Sequence, residues 1–298
     1  MLTISKEDPT KLAVVGKPAK VPADFPNTVA ASTKNGLACV GASGAVAGIT
    51  CAPFTKRGLG AFDKLRAIDL GQTTPPLGPL NTVSHSFFSE DEATLFTTVK
   101  GDPTVGKAGF LSSLQIEETA SCRGAKRRAA AAQDLRSTPE GTNVLFGSQV
   151  IPGTGKVFAT DASFGAAVLQ VDRATGQAVV AGKTAIEGQA ATCWAAFAPA
   201  TGTVFVTDVA VPRIVEMSAD DAGVVAQLDL SPDAPDAGFT DLLASGNFLY
   251  ALAPGNGTMD AAIVVVDIAG GPGSAKFLQR FSLEGLGGAN AQGIAILN

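Results

Sequence analysis

Histidine is nearly missing from this chain: 298 residues contain one, His85, beside one tryptophan, one tyrosine, three methionines and four cysteines. A zinc site made of several histidines is thereby excluded, and no HExxH or CxxC pattern occurs. A serine–histidine–aspartate triad has only His85 to draw on, and no Gly-x-Ser-x-Gly elbow presents a serine. Charge is scarce too, at 16% of residues, with a formal net charge of -5. Binding a phosphate backbone needs clustered Lys and Arg, so no nucleic-acid partner is expected. The one dense basic run, "RGAKRR" at 123–128, lies in a Gly/Ala-rich stretch without interleaved aromatics and reads as a solvated loop. No apolar run reaches the roughly 18 residues needed to span a bilayer, which points to a soluble protein. The opening "MLTISKEDPTKLAVVG" does not read as a signal peptide.

What the chain has in quantity is turn-formers, with Gly 34 and Pro 17. They punctuate five copies of one strand–turn–strand pattern: "VAASTKNGLACVG", "SFFSEDEATLFTTV", "SQVIPGTGKVFATD", "AAFAPATGTVFVTD" and "DLLASGNFLYALA". An apolar residue before each turn is matched by one after it, at Val29 and Leu37, Phe88 and Phe96, Val150 and Phe158, Phe197 and Phe205, Leu242 and Leu249. The anchors after the turn are spaced by 59, 62, 47 and 44 residues. Third strands follow as "ITCAPF", "GFLSSLQI", "AAVLQVD", "RIVEMS" and "AIVVVD", with weaker fourth strands such as "VVAQLDL" and "FLQRFSL". Repeats of about 40–50 residues with four short strands each are the signature of β-propeller blades. The expected fold is therefore all-β: one propeller domain, 1–298, of four-stranded antiparallel blades.

Both ends read as partial blades. "AQGIAIL" at 291–297 resembles an innermost strand, and "LTIS" with "KLAVVGK" resembles outer strands. A composite blade joining them would close the ring and remove free sheet edges, giving six blades. That composite has no clear second strand, which suggests further sequence ahead of residue 1. The alanine-rich stretch "SCRGAKRRAAAAQDLRS" has no apolar face and reads as an insertion between blades.

Cys39 and Cys51 lie symmetrically about residue 45, on either side of a Gly-rich turn. An antiparallel hairpin would set them opposite each other within disulfide reach; two buried thiols are the alternative. Nothing local pairs Cys122 with Cys193. Asn256-Gly257-Thr258 is a glycosylation sequon, consistent with secretion.

The phrases "LGQTTPPLGPLNTVSHSFFSEDEATLFTTVKG", "VFATDASFGAAVLQVD" and "FVTDVAVPRIVEMS" resemble fungal secreted proteins labelled 3-carboxymuconate cyclase-like. These belong to the lactonase-type propeller family that includes 6-phosphogluconolactonase. The resemblance implies a seven-bladed propeller, secretion, a monomer, and a small-molecule ligand or substrate with no cofactor. The family motif reads His-x-x-x-Phe-Ser-Pro-Asp-Gly, its histidine directed at the central channel for lactone chemistry. Set on Phe88-Ser89, it puts that histidine position at Ser84, and His85 falls one residue further on. Successive strand residues face opposite ways, so the offset turns the imidazole from the channel. The turn departs as well, with Glu90-Asp91-Glu92 in place of Pro-Asp-Gly.

The candidate site is accordingly broad. Catalysis, if present, would fall to His85, or to Arg136, Glu187 and Arg213 stabilising an enolate or oxyanion. Asp161 and Asp208 end equivalent second strands and would either hold a cation or polar ligand at the channel mouth or cap their own turns. Trp194 is either packing between blades or a ligand platform. The expectation is a lactonase-like propeller that binds a small ligand at its channel, with active lactone hydrolysis or muconate cycloisomerisation as the alternative.

Overall fold

The computed structural model describes residues 1–120 and 126–297. Strands dominate it; the described residues contain no α-helix, only one 3-10 turn at Pro103–Val105. After a short hairpin, β1 (Leu2–Ile4) and β2 (Leu12–Val14), come five antiparallel sheets, one for each repeat. Blade 1 holds β3 (Pro26–Ser32), β4 (Leu37–Ala42), β5 (Gly48–Thr55), β6 (Gly58–Leu59) and β7 (Arg66–Ala67). Blade 2 holds β8 (Val83–Phe88), β9 (Thr94–Val99), β10 (Phe110–Ala120), β11 (Lys126–Ala130) and β12 (Leu135–Ser137). Blade 3 is β13 (Leu145–Ile151), β14 (Lys156–Asp161), β15 (Gly165–Val171) and β16 (Ala178–Ala185). Blade 4 is β17 (Thr192–Ala198), β18 (Thr203–Asp208), β19 (Arg213–Met217) and β20 (Val224–Asp229). Blade 5 is β21 (Asp241–Ser245), β22 (Phe248–Ala253), β23 (Ala262–Asp267) and β24 (Lys276–Ser282). The chain is a β-propeller.

Burial follows strand order and explains the residue patterns. A second strand has another blade against each face, so β9, β14 and β18 are buried at five or more of six positions, and their sequences run without polar alternation. The fourth strands β16, β20 and β24 face solvent on one side and alternate. The anchors recognised in the repeats are the centres of the packing: Leu37, Phe96, Phe158, Phe205 and Leu249 are all buried. Four apolar clusters each join neighbouring blades. Leu37 and Ile49 meet Val83 and Leu95 between blades 1 and 2. Phe96 and Leu111 meet Leu145 and Leu169 between blades 2 and 3. Phe158 and Val168 meet Val204 and Val215 between blades 3 and 4, and Phe205 and Ile214 meet Leu242 and Val264 between blades 4 and 5. Where β13 and β17 approach, Gly147 is required: a Cβ there would stand 2.7 Å from both the Cys193 carbonyl and the Trp194 Cα.

Three expectations are corrected. The composite sixth blade does not form among the described residues: β1 and β2 pair only with each other, and residues 291–297 join no sheet. The backbone N–H of Ile294 is taken instead by the Asp241 carboxylate. Of the alanine-rich stretch, 121–125 lie outside the described residues, and the remainder is not an insertion: 126–130 is β11, paired with the far half of the long strand β10, while β12 pairs with its near half. Part of the basic run therefore lies in a strand, where Arg128 pairs with Glu118. In blade 1 the outer position is filled by two short pieces, β6 and β7, both paired with β5.

Cys39 and Cys51 are register partners on β4 and β5 and form a disulfide. Cys193 is a buried free thiol, and Cys122 lies outside the described residues. The bonded pair lies 12 positions apart in sequence. On loop entropy such a cross-link is worth about 3 kcal/mol. Replacing both cysteines by alanine is expected to lower the unfolding free energy by about that amount in urea titrations. No change in the urea midpoint would show that the hairpin is already closed in the unfolded chain.

Candidate functional site

The innermost strands β3, β8, β13, β17 and β21 stand in order about a common axis, each against the next, and at one end they line an open cavity of about 770 Å³ that all five blades reach. Its position follows from a repeated irregularity. β3, β8, β13 and β17 each carry a register shift near their starts, at Pro26/Thr28, Val83/His85, Leu145/Ser148 and Thr192/Ala195. A bulge bends the strand and re-aims side chains that would otherwise join the ladder. The residues inside these shifts include Asn27, Ser84, Phe146, Cys193 and Trp194, and all of them line the cavity.

The wall is apolar with a few convergent polar groups. Lys100, Cys193 and Asp241 are its titratable members. The Nζ of Lys100 sits 4.3 Å from the centroid of the Phe146 ring. Burial holds its pKa down at about 8. Burial raises Asp241 to about 6, although its two oxygens accept the N–H groups of Leu242 (2.7 Å) and Ile294 (2.8 Å). The same cause pushes the Cys193 thiol far up, so it stays protonated and donates weakly to the Thr240 carbonyl at 3.5 Å.

Ser84 and His85 occupy different surroundings. Ser84 lines the cavity, and its hydroxyl donates to the Leu145 carbonyl at 2.9 Å. His85 is not among the lining residues. Its ring lies 4.5 Å from Trp194 and 5.2 Å from Phe87, and its Nδ1 accepts the Ser148 N–H at 3.2 Å. Desolvation lowers its pKa to about 4, which leaves a neutral imidazole protonated at Nε2. Trp194 both packs and lines: it touches His85 on one blade and the Phe146 edge (5.8 Å) on another, and still forms part of the wall.

The other residues singled out from the sequence are not brought to the cavity. Asp161 accepts the N–H groups of Asn143 (2.7 Å), Val144 (3.0 Å) and Ser163 (2.9 Å). Asp208 accepts those of Ala190 (2.8 Å), Ala191 (3.2 Å) and Ala210 (3.0 Å), so both buried carboxylates tie the end of a second strand to the entry of its own first strand. Arg136, on β12, pairs with Asp134 at 2.9 Å and lies over the ring of Phe110 on β10. Glu187 is exposed in the loop after β16. Arg213, at the start of β19, donates to Gln227 at 3.1 Å, while its Nε and Nη2 are buried without a partner. Asn256 is exposed, and its side-chain oxygen accepts from the Thr258 and Met259 N–H groups. Among the described residues no group of three or more acidic, histidine or cysteine side chains is placed to hold a metal ion, and the cavity offers a cation the single carboxylate of Asp241.

Phe146, Lys100, Cys193 and Asp241 escaped the sequence reading, yet for two of them a signal was present. The position four residues before the first anchor of the repeat is Phe25, Ser84, Phe146 and Cys193 in the first four copies, and all four line the cavity.

No family model matches the chain, and no curated protein matches it. Solved structures do. The periplasmic gluconolactonase of Pseudomonas aeruginosa superposes with a TM-score of 0.63 over 95% of this chain and 78% of its own, at 15% identity. A candidate 6-phosphogluconolactonase from Bacteroides uniformis gives 0.61 over 88% of this chain and 74% of its own, at 14% identity. A chain of the nidogen/laminin complex gives 0.55 over 96% and 90%, at 12% identity. At these identities the likeness defines the architecture, a β-propeller of the kind lactonases share with other proteins.

The buried histidine makes a pH signature. The unfolded chain takes up its proton near the ordinary value of 6.5, whereas the folded chain resists until about 4. Stability is therefore lost as pH falls from about 6.5 towards 4, by up to about 2 kcal/mol once partial exposure of the residue is allowed for. Asp241 acts in the opposite direction across much of this range, so the difference between wild type and His85→Gln isolates the histidine. Urea titrations at pH 7 and pH 4.5 are expected to show a larger loss for wild type; equal losses would mean that the imidazole titrates normally.

Proposed function

We propose that this chain is a secreted, lactonase-like propeller that takes a small organic ligand into the cavity at the end of its central channel. One observation carries the reading: four inner strands bulge at their starts and turn Asn27, Ser84, Phe146, Cys193 and Trp194 onto the wall of one cavity. A cavity of about 770 Å³ is the size of ordinary small-molecule sites, and apolar walls with a few fixed polar groups are their usual chemistry. Secretion is supported by the Cys39–Cys51 disulfide, which suits an oxidising compartment, and by the exposed sequon at Asn256.

Binding is preferred over histidine-dependent lactone hydrolysis. The position that resembles the family histidine is Ser84, whose hydroxyl is engaged by a backbone carbonyl, and the nearby imidazole is a poor base held between aromatic rings. A second reading, turnover of a lactone or muconate, is favoured by Lys100 and Asp241, which titrate close to neutrality in one cavity.

The sole tryptophan lies in the wall and reports occupancy directly. Titration with sugar lactones and muconolactones is expected to give saturable changes in Trp194 fluorescence, without consumption of ligand in a pH-stat. Turnover that disappears in His85→Gln would return the histidine to catalysis, and turnover that disappears in Lys100→Met would establish the second reading. Absence of any saturable fluorescence change across a broader set of small organic ligands would remove the cavity as the functional site.

A further inference from the structure

Lys100 is placed unlike an ordinary surface lysine. It follows β9, lines the central cavity, and its Nζ lies over the ring of Phe146, another wall residue. Among the described residues no carboxylate forms an ion pair with it, and its side chain makes no hydrogen bond with them. Asp241 shares the cavity, yet its oxygens are turned to the backbone N–H groups of Leu242 and Ile294. The groups titrating against Lys100 in this space are Asp241 and Cys193, and the thiol stays protonated.

An amine in apolar surroundings, with no counter-ion and room for a ligand beside it, is the arrangement by which lysines become nucleophiles towards carbonyl groups. Resting on the reading that the cavity takes a small organic ligand, we infer that Lys100 captures ligands carrying an aldehyde or ketone as a reversible imine.

The step balances without any added reagent. The neutral Nζ lone pair attacks the carbonyl carbon, the C=O π pair moves to oxygen, and oxygen gains a proton while nitrogen loses one. The resulting carbinolamine expels its hydroxyl, with a proton, as water, and the C=N bond forms. Nothing is oxidised or reduced, and hydrolysis releases the ligand unchanged. Desolvation favours the first step, since burial holds Lys100 near 8. At pH 7 such a lysine carries more than about a hundredfold more neutral amine than one at its ordinary value.

The test uses two probes of nearly equal shape on the whole chain. Benzyl alcohol fills the cavity without forming an imine, and calorimetry reports its binding. Benzaldehyde with cyanoborohydride at pH 7 reduces any imine to a stable secondary amine, located by peptide mass mapping. The expected result is saturable binding of benzyl alcohol and one dominant reduced adduct on Lys100, at least about tenfold above any other lysine, since its larger neutral fraction outweighs the lower nucleophilicity of a less basic amine. That adduct should vanish in Lys100→Arg, which keeps the charge and cannot lose its proton. Matching melting curves for the variant and wild type establish that the variant is folded.

Saturable benzyl alcohol binding with adducts spread evenly over the lysines would overturn the imine and leave the ligand cavity standing. A dominant Lys100 adduct that benzyl alcohol does not suppress would also overturn it, since the amine would then react outside the cavity. Absence of both binding and a dominant adduct would overturn the two readings together.

Discussion

Blade-on-blade apolar packing is the interaction on which the rest of this structure depends. Each repeat is a thin sheet whose second strand would expose apolar residues on both faces if it stood alone. Phe96, Phe158 and Phe205 remove that exposure by entering the cluster between two neighbouring sheets. Full burial of one such side chain is worth about 1.5–3 kcal/mol, and every inter-blade cluster holds many. Because the clusters form only between successive blades, they set the order and the curvature of the array. The inner strands are thereby brought around one axis.

That convergence creates the cavity, and one physical cause then organises its chemistry. The walls displace water from polar groups that have few partners. The charged form of each group becomes costly, so the lysine is pushed down, the aspartate up and the thiol further up. A cluster of unremarkable residue types thus acquires a neutral-capable amine and a neutral-capable acid near physiological pH. Asp161 and Asp208 show the contrasting case. Each accepts three backbone N–H groups, and they serve the loops rather than the cavity.

His85 illustrates how far sequence position reaches. It and Ser84 occupy different surroundings, but the register shift between Val83 and His85 interrupts the regular alternation on which that expectation rested. Alternation alone does not reveal that its ring meets a tryptophan from two blades further on, or that the strand bulges between Val83 and His85. Both depend on neighbours distant in the chain. The same holds for Cys193 and Lys100, whose importance comes from what other blades place beside them.

Local spacing determined the strands, the five repeats, the inter-blade anchors and the Cys39–Cys51 pairing, because each of these rests on contacts within one hairpin or on a period repeated along the chain. Where an outer strand comes in two short pieces, as on β5 and β10, the period is broken, and an alanine-rich strand with no apolar face resembled a loop. The fate of 291–297 was equally hidden: a strand-like pattern needs an unpaired edge within reach, and Asp241 captures the Ile294 N–H instead. The cavity, its perturbed acid and amine, and the enclosure of the histidine were decided by tertiary structure alone. They arise from desolvation and from bulges, and both are properties of how sheets meet around an axis rather than of any one strand.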